Sequence, residues 1–227
     1  MPKCLVTGAN RGIGFEFAKQ YAADGWSVIA TCRRPQEADA LAGLQGDIDV
    51  HGLDVTDFAR VEALSKRLSG VAIDVLINNA GAYGPREVAH DTIDYRAWCE
   101  VLRVNTMAPV KLASLFTDHV AASDRKTIVS ITSLMGSITD NTSGGSYIYR
   151  SSKAALNAAM RSLACDLKGR GITVAVLHPG WVRTDMGGAR ATMDPFESVA
   201  ALRQVIADLE LKDTGRFINF DGHEIPW

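Results

Sequence analysis

The sequence predicts an α/β protein: one doubly wound sheet of seven parallel strands with helices on both faces. Three observations carry this expectation. Short apolar, β-branched runs alternate with segments of helical period, as in βαβ units whose sheet is covered on both sides. The first run passes at once into a cluster of glycines and then a helical segment, the strand–tight turn–helix start of an open α/β sheet. No linker, repeat or low-complexity stretch interrupts the alternation, so one domain is expected over residues 1–227.

In chain order, the run Cys4-Leu5-Val6-Thr7 gives a strand at 4–7, and the segment after the glycine turn gives a helix at 12–23. Ser27-Val28-Ile29-Ala30-Thr31 gives the second strand, a short helix is expected at 37–42, and a third strand at 48–53. A helix at 58–68 leads to the strand Val75-Leu76-Ile77-Asn78, and one long helix is expected at 95–117. The last strands are placed at 127–132, 173–177 and 217–220, separated by helices at 147–168 and 196–209. Two stretches rich in Gly, Pro or charge break the rhythm, 83–92 and 180–194. Ligands bind beyond the carboxyl ends of the strands in such sheets, so these loops are either the walls of a substrate cleft or variable surface.

Composition narrows the function classes. The 227 residues hold 24 basic and 26 acidic side chains, a formal net charge of −2, which is not the basic footprint of a nucleic-acid binder. No apolar stretch approaches the ~20 residues of a membrane-spanning helix, and the start of the sequence has no signal-peptide character. Cys4, Cys32, Cys99 and Cys165 are scattered, and His51, His90, His119 and His223 form no metal spacing. Reduced thiols, no metal and a cytoplasmic location are expected.

The glycine turn reads Thr7-Gly8-Ala9-Asn10-Arg11-Gly12-Ile13-Gly14. Glycines there permit a tight turn, close approach of backbone to a pyrophosphate and close packing of helix on strand. The helix that follows offers free N–H groups and a partial positive charge to phosphates. The second strand ends at Thr31-Cys32-Arg33-Arg34 with no carboxylate to bind ribose hydroxyls. Arg33, Arg34 and Arg11 are placed where guanidinium forks can hold a 2′-phosphate; otherwise they are solvated charges. NADP(H) is therefore expected in preference to NAD.

Tyr149 and Lys153 stand four residues apart in a helical segment and share a face. A free phenol has a pKa of about 10. A neighbouring ammonium, with the charge of an oxidised nicotinamide, is expected to lower it; a fall of ~3 corresponds to ~4 kcal/mol. Alone, such a pair is usually a solvated helix face; Tyr147, six residues before Lys153, shares that face less well, and Ser130, Ser133 and Ser137 are the serines in and just after the fifth strand. His178 is either an acid–base group or a satisfied, partly buried histidine. Met135, Trp181 and Met186 either line the cleft or pack.

The spacing Gly-x-x-x-Gly-x-Gly in the form TGANRGIG resembles the short-chain dehydrogenase/reductase family, and further motifs follow in order. They are Leu53-Asp54-Val55, Asn78-Asn79-Ala80-Gly81, Val104-Asn105-Thr106, Ser133 with Gly136 three residues on, the Tyr149/Lys153 pair, and Pro179-Gly180 with Val182 and Thr184 in the loop beyond. The resemblance spans nearly the whole chain and implies a Rossmann-type fold. It implies cofactor binding by Gly8, Asn10, Arg11, Gly12, Ile13, Gly14, Arg33, Asp54, Val55, Asn79, Ala80, Gly81, Tyr149, Lys153, Pro179, Gly180, Val182 and Thr184. It gives catalytic roles to Asn105 (a water chain to Lys153), Ser133 (the substrate oxygen), Tyr149 (acid/base) and Lys153 (lowering the phenol pKa). The implied reaction is interconversion of a carbonyl and an alcohol, with a small carbonyl or alcohol substrate and a homodimer or homotetramer. The segment Asn141-Thr142-Ser143-Gly144-Gly145 lengthens the usual gap between Ser133 and Tyr149 and is expected near the substrate opening. The chain's last residues, with Arg183-Thr184-Asp185-Met186, resemble the C-factor-like branch. That branch includes carbonyl reductases and a protein linked to cell–cell signalling, so a non-catalytic NADP-binding regulator is the alternative.

Overall fold

The computed structural model describes residues 1–86 and 89–227. Seven strands form one parallel sheet: β1 (Lys3–Thr7), β2 (Ser27–Cys32), β3 (Ile48–Gly52), β4 (Val75–Asn78), β5 (Thr127–Ile131), β6 (Thr173–His178) and β7 (Phe217–Asn219). Their order across the sheet is β3-β2-β1-β4-β5-β6-β7. Connections run outward in both directions from β1 and β4, which makes the gap beyond their carboxyl ends the topological switch point.

Side chains alternate across each strand, so each face of the sheet acquires its own apolar layer. Leu5, Ile29, Leu76, Ile128 and Val174 point to one face. There they meet α3 (Phe58–Arg67), α5 (Ala108–Ala121) and α6 (Tyr147–Leu167). Cys4, Val6, Val28, Ala30, Ile77 and Val129 point to the other, under α1 (Gly12–Ala23), α2 (Asp39–Ala42) and α7 (Pro195–Asp208). Phe116 seals one layer and Phe17 the other, both fully buried, each contributing about 2–3 kcal/mol of apolar transfer energy.

The expected architecture is present, with four departures worth a physical account. The long helix expected over 95–117 is α4 (Tyr95–Leu102), one wider π-helical turn over Arg103–Met107, and then α5. Pro109 has no amide hydrogen, and its ring collides with the carbonyl four residues earlier, so the α-helical register cannot run through. The second helix keeps only Asp39–Ala42, because Pro35 starts a separate 3₁₀ turn over Pro35–Glu37. The last strand ends at Asn219, where the chain turns back and Asn219 N–H donates to the His223 carbonyl at 2.9 Å. The final helix starts one residue early because Pro195 fits the first helical position behind the capping box of Asp194 and Glu197.

Candidate active site

A cleft of about 1340 Å³ opens over the carboxyl ends of the strands. Its floor is built from the ends of β1 and β4. The Thr7 hydroxyl accepts hydrogen bonds from the N–H groups of Asn79 (3.0 Å) and Ala80 (3.1 Å), and the Asn79 amide donates to the Thr7 carbonyl at 2.9 Å. These bonds lock the turn after β4 to the glycine turn after β1. The turn itself depends on the missing side chain of Gly14: a Cβ there would stand 2.3 Å from the Gly8 carbonyl oxygen and 2.4 Å from the Asn79 amide nitrogen. Gly8 has φ +67°, and a Cβ on it would lie 3.0 Å from the Ala80 Cα. The start of α1 has no side-chain cap and no acidic residue in its first turn, so its amides face the cleft as an anion site. This cradle fits the phosphates of a dinucleotide.

Every residue expected to bind the cofactor lines this cleft, from Gly8 to Thr184. Asp54 accepts from the Thr56 amide (2.9 Å) and hydroxyl (2.7 Å). Burial works against its ionisation, but those two bonds, with Arg33 and Arg103, hold its carboxyl below the usual range. Arg33 is exposed at the rim. Arg34 pairs with Glu37 at 2.9 Å and takes no part in the cleft lining. Arg11, expected to reach toward a 2′-phosphate, instead crosses the cleft to Asp185 at 2.8 Å. Both charges are well exposed, so this arrangement is held by a weak surface pair.

At the inner end, α6 presents Tyr149 and Lys153 on one buried face. The Lys153 ammonium lies 5.8 Å from the centre of the Tyr149 ring and donates to the Ile131 carbonyl at 2.8 Å. Burial pushes its pKa down to about 8. Ser133, at the end of β5, accepts from the Met135 amide at 3.2 Å. The expected depression of the phenol pKa is absent in the cofactor-free protein. Burial pushes Tyr149 up to about 12, opposed by a hydrogen bond with Ser133 and reinforced by Tyr83. The reason is geometric: the ammonium is directed at a backbone carbonyl beneath the ring, and desolvation of the phenolate dominates.

Ser133 is separated from its rivals by position. The buried Ser130 accepts from Asn78 Nδ2 at 3.2 Å, Ser137 donates to the Pro226 carbonyl at 2.6 Å, and neither lines the cleft; Tyr147 lies outside it as well. Asn105 sits behind the lining, in the π-helical turn. Its side chain accepts from the Ala82 amide (2.8 Å) and donates to the Ala82 carbonyl (2.8 Å) and the Ser152 hydroxyl (2.9 Å). His178 lines the cleft but is not a satisfied histidine. Its buried Nδ1 has no hydrogen-bond partner, and burial drives its pKa down to about 4.

Both irregular loops wall the cleft, and Met135, Trp181 and Met186 are in its lining. Of the first loop, Glu87 and Val88 lie outside the described residues. Residues 141–145 add no wall to the cleft; they are exposed, and Ser143 accepts from Arg150 of α6 at 3.0 Å. Sequence reasoning missed Tyr83, Arg86 and Asp185. Each belongs to a loop whose approach to the cleft is fixed by turns rather than by periodicity. Among the described residues no cluster of His, Cys, Asp or Glu can hold a metal ion, the four cysteines are free, and no helix is long and apolar enough to cross a membrane.

A glycine cradle at the switch point of a doubly wound sheet, continuous with a buried tyrosine–lysine pair, defines an oxidoreductase of the dinucleotide-binding class. The short chain dehydrogenase family model matches residues 3–195, and the chain belongs to that family. The 1-hydroxy-2-glutathionyl-2-methyl-3-butene dehydrogenase of Rhodococcus sp. (strain AD45) is 35% identical over 233 residues, covering 100% of both chains. The C-signal protein of Myxococcus xanthus is 41% identical over 155 residues, 68% of this chain and 93% of its own. Among solved structures, the carbonyl reductase Sniffer of Drosophila melanogaster superposes with a TM-score of 0.93 at 33% identity over 100% of both chains. An NADPH-bound carbonyl reductase from chicken fatty liver gives 0.91 at 35% identity, over 100% of this chain and 99% of that one.

Proposed function

We propose that the protein is an NADPH-dependent carbonyl reductase acting on a ketone or aldehyde. The observation that carries this reading is the buried Tyr149–Lys153 face meeting Ser133 at the inner end of the same cleft that holds the glycine cradle. NADP(H) is favoured over NAD by the exposed Arg33 at the end of β2, where no carboxylate stands, and by the carbonyl reductase from chicken fatty liver, which is NADPH-bound. The reduced nicotinamide supplies hydride to the carbonyl carbon when bound. Ser133 orients the carbonyl oxygen by a hydrogen bond that strengthens as negative charge develops. Tyr149 Oη passes its proton to that oxygen. A phenol held near 12 stays protonated at neutral pH, which suits the reductive direction. Lys153, with a pKa near 8, is poised to return a proton to Tyr149 near neutrality. Asn105 contributes by holding the turn over which Lys153 lies.

The similarity to C-signal favours a second reading, an NADP-binding signalling protein without turnover. Burial of an ammonium beside a phenol is costly and has no purpose in such a protein, which supports the enzymatic reading. The test follows NADPH absorbance against a panel of aldehydes, ketones and quinones. Wild type should turn over at least one class, and Tyr149→Phe should lose about 10²–10⁴-fold in rate while keeping its affinity for NADPH. Undiminished turnover in that variant refutes the mechanism; tight NADPH binding with no turnover across the panel favours the signalling reading.

A further inference from the structure

The ring of Tyr83 lies flat on the ring of Tyr149, with centroids 4.4 Å apart and planes inclined by 19°. Tyr83 is fixed from four sides. Its hydroxyl is 3.1 Å from the Ser146 hydroxyl, and Ser146 immediately precedes α6 in the left-handed region, at φ +47°. The Arg86 guanidinium covers it, 4.5 Å from the ring centre. On the chain side, both backbone polar groups of the preceding Ala82 are taken by Asn105, at 2.8 Å each. On the far side, Gly84 turns the chain at φ +80°, where a Cβ would stand 2.9 Å from Val101. Arg86 also donates to the Met186 carbonyl in the loop after β6. The π-helical turn therefore holds a backbone, the backbone aims a ring, and the ring covers Tyr149.

We propose that Tyr83 is a positioning residue for Tyr149. It fixes the plane of the phenol and keeps water from its face, while Arg86 ties this stack to the loop carrying Met186. The proposal deepens the carbonyl reductase reading and rests on it for its kinetic consequences. Coplanar stacking confines ring rotation without touching the hydroxyl, so it sets the direction of proton transfer and leaves the chemistry to Tyr149. The ring of Tyr83 is engaged by Tyr149, with centroids 4.4 Å apart, and by the Arg86 guanidinium, 4.5 Å from its centre. Its influence is therefore on the proton donor rather than on substrate affinity. Tyr149 is buried, as this cover requires, and Tyr83 adds to the upward shift of its pKa.

The experiment compares Tyr83→Ala and Tyr83→Phe, with Tyr83→Leu in place of the alanine variant if that one does not fold. Two readouts are used: steady-state reduction with NADPH, and ultraviolet titration of the Tyr149 phenol, taken in each background as the difference from its Tyr149→Phe partner. The charged and titratable groups about Tyr149 are Lys153 on its own helix, Tyr83 on the loop after β4 and Arg86 beyond it; only Tyr83 is altered. Tyr83→Ala should lower kcat by about ten- to a hundredfold, with KM and NADPH affinity within about twofold. Its phenol titration midpoint should fall toward the ordinary value of about 10. Tyr83→Phe keeps the stack and should recover kcat to within about threefold. A change confined to KM, or a phenylalanine variant as damaged as the alanine one, overturns the proposal. The titration stands apart from turnover. If Tyr149→Phe in the wild-type background retains activity, the reductase mechanism fails, yet an unshifted phenol in Tyr83→Ala still overturns the positioning role and a shifted one still supports it.

Discussion

Lys153→Met takes an ammonium out of the interior and leaves a chain of nearly equal length in its place. Lys153 is buried, and its pKa falls from the usual 10.5 to about 8 because burial penalises the charge. That fall corresponds to about 3 kcal/mol of unfavourable solvation for the charged form. Against this, the variant leaves the Ile131 carbonyl without the donor it has at 2.8 Å, which costs about 1 kcal/mol. The cofactor-free variant should therefore be about 2 kcal/mol more stable than wild type at pH 7, while losing catalysis. The pH dependence fixes the cause. The folded pKa lies below the unfolded one, so between about 8 and 10.5 the unfolded chain binds more protons than the folded chain, and wild-type stability from this group rises with pH. The advantage of Lys153→Met should shrink across that window and be constant below it. Urea unfolding of both proteins at a series of pH values measures this. A variant less stable than wild type at pH 7, or a difference independent of pH up to 10, refutes the reasoning.

Two further outcomes follow from the cofactor cradle. Arg33→Asp should weaken NADPH by about ten- to a hundredfold, the loss of a charge-assisted hydrogen bond, and change NADH by much less; titration calorimetry with both coenzymes decides it, and equal losses contradict the 2′-phosphate role. Gly14→Ala places a Cβ 2.3 Å from the Gly8 carbonyl oxygen, so it should abolish coenzyme binding or cost about 2–4 kcal/mol of stability through overpacking. Wild-type stability and affinity in that variant would show that the turn is looser than described.

The sheet was legible because a parallel strand covered on both faces must be apolar nearly throughout, as Ser27–Cys32 is, and that pattern has few alternatives. Helix ends were less legible. The wide turn at Arg103–Met107 arises from a conflict between Pro109 and a regular helix, and a periodic pattern passes over such a conflict. The set that lines the cleft was readable because a glycine turn after a strand leaves little freedom in where its neighbours go. Tyr83 was not readable as a site residue. Its place over Tyr149 comes from Gly84, Asn105 and Ser146 acting together, three residues remote from one another in sequence. That the phenol stands above its ordinary range in the cofactor-free protein was not readable for a related reason. Residue spacing puts Lys153 near Tyr149 but does not show that the ammonium is directed at Ile131.

The contact between Arg11 and Asp185 joins two walls of the cleft through side chains that are 67% and 76% exposed. A pair so open to water is worth at most about 1 kcal/mol. The clasp is therefore a light one. Coenzyme exchange meets no firm barrier at this point, and an incoming phosphate finds a guanidinium already waiting at the rim, released from Asp185 at almost no energetic penalty.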